Sequence, residues 1–468
     1  MQFKVRWKSC SGALLFCIVA AIGVTAQTYT VIANLTGGNA YPQSSLIQGV
    51  NGNLYGTSYG LASSNEYGTV FEVTTSGTVS TIYTFCSKTN CADGSFPVAG
   101  LILANDLNFY GTTTSGGAYG AGTVFKLTPA GTITTLYSFC QQISCADGAN
   151  PYGGLVQGTS GLLYGTTALG GAHGFGSVFS IATSGETFTT LYSFCDGFCS
   201  RGYFNDGTTP ESTLVQDSAG NFYGTTSFGT IFEITPQGTL TTLYEFCSQP
   251  DCDDGNSPSG NPVLSAEGDL YGAAPKGGVF SGGVLWEWYG NFEVLVPFGT
   301  GEGALPNSVV LGTNGSIYGT TLGAVGRSGT VYPSTIYGLL RGGLTVLHTF
   351  TGGTDGYAPL GGMVEATNGV FYGASGGAAA GTVFSLSDGL SPFVLSVPTF
   401  GHPGNEVRIL GTNLIGSTAV SFDGKAATFS VNSRSEITAE VPTGAKTGQI
   451  EVQTPGGKLK SNVVFIIL

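Results

Sequence analysis

Charge is what this 468-residue chain has least of. Asp, Glu, Lys and Arg make up 9% of it, against about a quarter in an ordinary globular protein. The formal net charge is −13, and a surface of that sign repels phosphate backbones, so nucleic acid is not expected as a partner. Histidine is nearly missing. His173, His348 and His402 are the whole set; no two are spaced to chelate a metal, and HExxH is absent. There is no GxSxG elbow and no Walker lysine motif. Runs such as GGAYGAG lie between strand-like segments, so no helix N-terminus stands behind them to hold phosphate. These absences leave no catalytic residue to assign. Carboxylates meeting across a fold would leave no motif and stay open as a possibility.

What is present favours strands. The chain is 41% hydrophobic and 12% aromatic, with 2 Met, and Val, Thr, Tyr and Phe suit a pleated, half-buried surface. Gly numbers 77. Low charge with so much Gly would suggest disorder if the chain did not have this much to bury.

The start reads as a secretory signal. Lys4, Arg6 and Lys8 precede an apolar run from Gly12 to Val24, and Val24-Thr25-Ala26 is a small-residue cleavage site. Residues 1–26 would then be removed, taking the net charge from −13 to −16. No later segment is long and apolar enough to span a membrane. The cysteines agree with export. Outside the signal they fall in four close pairs, Cys86/Cys91, Cys140/Cys145, Cys195/Cys199 and Cys247/Cys252, which in an exported chain read as disulfides. Zinc would need four ligands together, and no His accompanies any pair.

A unit repeats along most of the chain. Tyr55, Tyr110, Tyr164, Tyr223, Tyr271, Tyr318 and Tyr372 each precede Gly, 47 to 59 residues apart. An apolar pair comes before each, as in Leu46-Ile47 and Leu101-Ile102. A third short run such as TVFEV or TVFKL follows, then a fourth such as TIYTF or TTLYSF. Four short strands per unit is the pattern of a propeller blade, whose two faces are buried only by neighbours. The fourth run follows the third only six times. The seventh is supplied by TYTVIANL near the start, which would close the ring and remove an open edge. The expected fold is therefore all-β: a seven-bladed β-propeller over residues 27–388, closed by an N-terminal strand, then a small Ig-like β-sandwich over 391–468. The Gly after each Tyr is expected to let neighbouring backbone approach.

Alternating strands put the two–three and four–one loops on one face. Those loops are long and hold nearly all the unusual residues; the other turns are short. The long-loop face repeats an acid before Gly at Asp93, Asp147, Asp206, Asp254, Glu302 and Asp355. These could form a ring of carboxylates for calcium, other cations or hydroxyl-rich ligands, or could simply cap their own turns. Their spacing matches no known calcium loop, and no cofactor is expected. Tyr119, His173 and Phe175 stand in the Gly-rich loops, where they could stack on a sugar ring.

Two resemblances extend this reading. Residues 391–468 resemble an IPT/TIG domain, through Gly404-Asn405 before VRI, GTNL at Gly411–Leu414, VSFDG at Val420–Gly424, Val441-Pro442 and TPGG at Thr454–Gly457. Residues 28–388 are similar to the GloVer tandem-repeat family of exported bacterial proteins, through LYGTT, the GTVF/GSVF runs and TTLYSF, and the unit also resembles the NHL-type blade. The resemblance implies a secreted or cell-surface location and a seven-bladed ring, and carries over no catalytic residue. The function expected is a binding or scaffold protein that presents an acidic, loop-rich face to an extracellular carbohydrate or surface protein. The alternative is an extracellular lyase or hydrolase working in the central mouth.

Overall fold

The structure, a computed structural model, describes residues 27–60, 65–195, 206–258, 260–299, 301–325, 331–340, 343–376 and 381–468. The expected signal and Cys199 lie outside the described residues.

Among the described residues, seven four-stranded antiparallel sheets follow one another between residues 28 and 387. The second is typical: Ile102–Leu103, Phe109–Thr113, Thr123–Leu127 and Ile133–Ser138 pair in chain order. The first strand is two residues long in five sheets, and the second and third carry the burial. Phe109–Thr113 is buried throughout, and Thr123–Leu127 exposes part of Lys126 alone. The sixth sheet has a two-stranded ribbon, Ala324–Val325 with Val331–Tyr332, inserted before its third strand, Thr335–Leu340.

The last sheet takes its fourth strand from the start of the chain. Thr28–Leu35 runs antiparallel to Gly381–Ser387, from Thr28 opposite Ser387 to Leu35 opposite Gly381. Its inward positions alternate as a strand should, and Leu35 has no exposure.

The core lies between sheets, not within one. Each apolar cluster of the repeat region draws on two neighbours. Phe125 and Leu101 of the second sheet pack with Val70 and Phe85 of the first. Leu163 and Phe179 of the third pack with Val124 and Phe139 of the second. The series returns on itself: Leu35 and Val383 of the last sheet share a cluster with Leu54 and Phe71 of the first.

Two glycine positions follow from this packing. The Gly of each Tyr-Gly pair lies opposite the aromatic residue of the third strand, as Gly111 faces Phe125. A Cβ on Gly111 would come 2.7 Å from the Phe125 ring, and one on Gly165 would come 2.7 Å from Phe179. The vacancy is therefore filled by a ring. The sequence had suggested backbone approach, and the structure corrects it. In the first, second, third and fifth sheets the Gly that opens the third run lies under a proline of the next sheet. A Cβ on Gly122 would meet Pro151 at 2.7 Å, and one on Gly176 would meet Pro210 at 2.6 Å. At the seam, a Cβ on Gly381 would meet Pro42 at 2.6 Å. The last sheet thus meets the first by the same contact that joins four other neighbouring pairs.

Residues 395–467 form a second unit. One four-stranded sheet contains Glu406–Leu410 and Glu436–Glu440, and another contains Ala419–Phe422 and Ile450–Thr454. Val407, Ile409, Phe422, Ile437, Val452 and Phe465 fill the space between them. This unit touches the short-turn side of the repeats. Ser435 Oγ donates to the Val50 carbonyl at 2.9 Å, the Phe393 amide donates to the Thr367 carbonyl at 3.0 Å, and the Thr367 and Thr412 hydroxyls are 3.2 Å apart. The long-loop face is left uncovered by it. Among the described residues no helix is long and apolar enough to cross a membrane.

Candidate functional site: the long-loop face

The repeated acids turn inward. Asp93, Asp147 and Asp254 have no exposure. The Tyr137 hydroxyl, on the fourth strand of the second sheet, donates to Asp147 Oδ2 at 2.9 Å, and the Gln141 and Gln142 amides donate to the same carboxylate at 3.1 and 3.2 Å. Asp93 receives Tyr83 at 2.7 Å with the Ser87 and Lys88 amides, and Asp254 receives Tyr244 at 2.7 Å with the Ser248 and Gln249 amides. Asp206 receives Tyr192 at 2.8 Å and the Cys195 amide at 2.7 Å. A carboxylate enclosed in this way fastens its loop and has little left for a ligand. The capping alternative describes these acids better than a ring offered to calcium. Among the described residues no three His, Cys, Asp or Glu side chains gather as metal ligands would.

The fastening also sets protonation. Asp93 lies below its ordinary 3.8: burial raises it, but bonds from Tyr83, Ser87 and the backbone outweigh burial. Burial first, and then Asp93, push Tyr83 up to about 12, while Ser87 pulls the other way. The phenol therefore stays a donor.

The fifth and sixth copies vary the theme. Val296 stands where the first four have Tyr, and there Glu302 replaces Asp and no cysteine pair is present. Glu302 is half-buried, and its backbone carbonyl accepts from Thr335 Oγ1 at 2.8 Å. In the sixth copy His348 takes the Tyr position. Its ring stacks on Tyr29 of the closing strand at 3.6 Å, and Nε2 lies 3.3 Å from Asp355 Oδ2 without hydrogen-bond alignment. Asp355 itself accepts from the Thr351 amide at 2.8 Å and from its hydroxyl, and the Tyr29 hydroxyl donates to the Asp355 carbonyl at 2.8 Å.

This arrangement gives a pH prediction. His348 is held below its ordinary 6.5, by burial first, with Asp355 pulling upward. Because the unfolded chain takes up that proton first, stability is expected to fall as pH drops from about 6.5. His348→Tyr restores the residue of the first four copies. It should shrink the loss of melting temperature between pH 7.5 and pH 5; an unchanged loss would refute the assignment.

Disulfides Cys86–Cys91, Cys140–Cys145 and Cys247–Cys252 close the loops that hold these acids. Cys195 is also disulfide-bonded. The stapled loops in turn hold the Gly-rich loops. Gly117, Gly171 and Gly278 donate their amides to the carbonyls of Cys91, Cys145 and Cys252 at 2.9, 3.0 and 2.9 Å. The Ala118 and Ala172 amides donate to Ser138 and Ser193 of the outer strands at 3.2 and 3.0 Å. The Gly-rich tips of the second and third sheets are thus pinned on two sides, and that of the fifth on one.

What the face presents is aromatic. Tyr119 is 55% exposed, and His173 is exposed at the matching tip. Phe175 is half-buried and packs with Phe194 and Phe222, so it belongs to the core edge. The sequence reading missed Phe228 and Phe280, which are 63% and 60% exposed in the same loop of the next two sheets. Their signal was an aromatic residue shortly before the GT or GG that opens the third run. The residues leading into the first strands lie against those of the neighbouring sheet, as Gly361 does against Ser44 and Gly153 against Ser212, and apart from Glu211 they are neutral and mostly small. Tyr152 follows the loop proline there; burial, then Tyr59 and Glu211, raise its phenol above 10.0.

Three comparisons bear on this architecture. A streptogramin B lyase structure is similar over 77% of this chain and 97% of its own, with a TM-score of 0.53 and 17% identity. A catalytically inactive virginiamycin B lyase variant from Staphylococcus aureus, with quinupristin, matches over 77% and 99%, with a TM-score of 0.52 and 15% identity. A fungal alcohol oxidase in complex with copper matches over 94% and 99%, with a TM-score of 0.54 and 12% identity. At such identities the likeness concerns fold alone. No curated protein matches. The chain is an all-β, propeller-type repeat protein, and its three described disulfides fit an extracellular one. The Gloeobacter/Verrucomicrobia repeat matches residues 18–228 and 198–384, well over half the length. The chain belongs to that repeat family.

Proposed function

We propose that this is a secreted or cell-surface binding protein. In this reading the seven sheets form a seven-bladed propeller closed by the N-terminal strand. The C-terminal unit is an IPT/TIG-type, Ig-like module that docks on the short-turn side. The long-loop face is the working surface. One observation carries the proposal: the loops bearing Tyr119 and Phe280 are held to disulfide-stapled neighbours, yet these large aromatic side chains point into solvent. Exposed apolar groups on a rigid frame mark an interaction site. The acids, being enclosed, make this face less acidic than its sequence suggests. The ligand is an extracellular carbohydrate or surface protein. The lyase or hydrolase alternative has less to work with, because the lead-ins to the first strands carry one acid, Glu211, among neutral residues.

A pull-down on cell-envelope fragments, alongside a glycan array, tests this. The folded protein is expected to be enriched over a heat-denatured control. No enrichment on either would contradict the proposal.

A further inference from the structure

A groove of about 460 Å³ opens on the outer rim between the second and third sheets. Tyr119 stands at one side. Gln141 and Ser138 follow along the outer strand of the second sheet, and Glu186 and Phe188 of the third sheet close the other side. The floor is firm. Tyr137 and Phe188 stack at 3.8 Å with their planes 6° apart, and Tyr137 is held by Asp147. The Ser138 hydroxyl accepts from Ala118 beside Tyr119, which fixes the tip relative to the groove.

The groove recurs two sheets later. Thr242, Leu243, Tyr244, Glu245 and Ser248 line a space of about 360 Å³. They match Thr135, Leu136, Tyr137, Ser138 and Gln141 position for position in the repeat. The same stack is present, with Tyr244 on Phe292 at 3.8 Å and 3°. Phe228 is the exposed ring of that sheet's two–three loop.

Resting on the binding reading above, we propose that these rim grooves are subsites for one neutral polysaccharide chain, with Tyr119 as a stacking platform. The chemistry of the lining selects this occupant. A sugar ring has an apolar C–H face and a polar hydroxyl edge. An exposed aromatic beside an amide, a hydroxyl and a carboxylate meets both sides of it. The net charge of −13 and the groove acids Glu186 and Glu245 disfavour a polyanionic polymer. Recurrence along one rim suits a repeating polymer, because linked weak sites gain by effective concentration.

Affinity electrophoresis of the full chain in gels containing xylan, laminarin or dextran tests the proposal, with alginate as the anionic comparison. The expected result is retardation by at least one neutral polymer and none by alginate. Tyr119→Ala should weaken it by about tenfold, and Tyr119→Phe should restore it, since the ring and not the hydroxyl does the stacking. Glu186→Gln should weaken it less. Both tip substitutions lie at exposed sites, and a melting curve verifies their folding. Retardation that ignores Tyr119→Ala would overturn the rim subsite while leaving the binding reading intact. Retardation by alginate alone would overturn the neutral-polymer assignment. No retardation by any polymer, with capture by envelope fragments, would overturn this inference only; failure of both would overturn the binding reading as well.

Discussion

A chain that lacks Thr28–Leu35 is expected to lose cooperative folding and to aggregate. The strand supplies the fourth position of the last sheet, so its removal strips seven paired positions from Gly381–Ser387. It also takes away Leu35 and Ala33 from the cluster that joins the last sheet to the first, and Tyr29 from its stack on His348. Full burial of one large aliphatic side chain is worth about 2 kcal/mol, and the lost pairings add to that. The total approaches the whole stability of a typical domain, about 5–15 kcal/mol. The newly bared edge is a template for another chain. The measurement is a thermal melt with light scattering. A synthetic peptide of residues 28–36, added in excess, should recover part of the transition. An unchanged melt of the shortened chain would mean that the strand does not close the structure.

The second large effect is expected at Asp147. Asp147→Ala leaves the Tyr137 hydroxyl and the Gln141 and Gln142 amides without their shared acceptor in a place that water does not reach. The cost should be about 3 kcal/mol. Tyr137→Phe removes one donor and should cost about 1 kcal/mol. In a double-mutant cycle the two should fall short of additive, because they share a bond. The fifth copy is the control within the same molecule. There Val296 replaces the tyrosine, so Glu302→Gln should change stability by less than about 0.5 kcal/mol. Equal losses at Asp147 and Glu302 would remove the fastening role.

The repeat was legible because its rules are local. Gly111 must face Phe125, and both recur at fixed positions in each copy, so the period stands out in the sequence. The closing strand was legible by counting, since one fourth run was missing at the end and one was spare at the start. The direction of the acids was not legible from the Asp-Gly motif alone. It depends on a tyrosine ten residues earlier in three copies, such as Tyr137 for Asp147, whose ring must lie along the sheet edge for its hydroxyl to arrive. The clue was in the fifth copy, where the tyrosine, the aspartate and the cysteines are lost together. The inward turn of Phe175 was not legible because a Gly-rich loop gives no periodicity to sort its inward from its outward residues. For the same reason Phe228 and Phe280 went unnoticed.

The most direct test of the closed arrangement is native-state hydrogen exchange over Thr28–Leu35. If this strand completes the last sheet, the amides that pair with Gly381–Ser387 should exchange as slowly as those of Phe109–Thr113 in the second sheet, through opening of the whole molecule. Exchange of the segment within seconds, while Phe109–Thr113 stays protected, would contradict it.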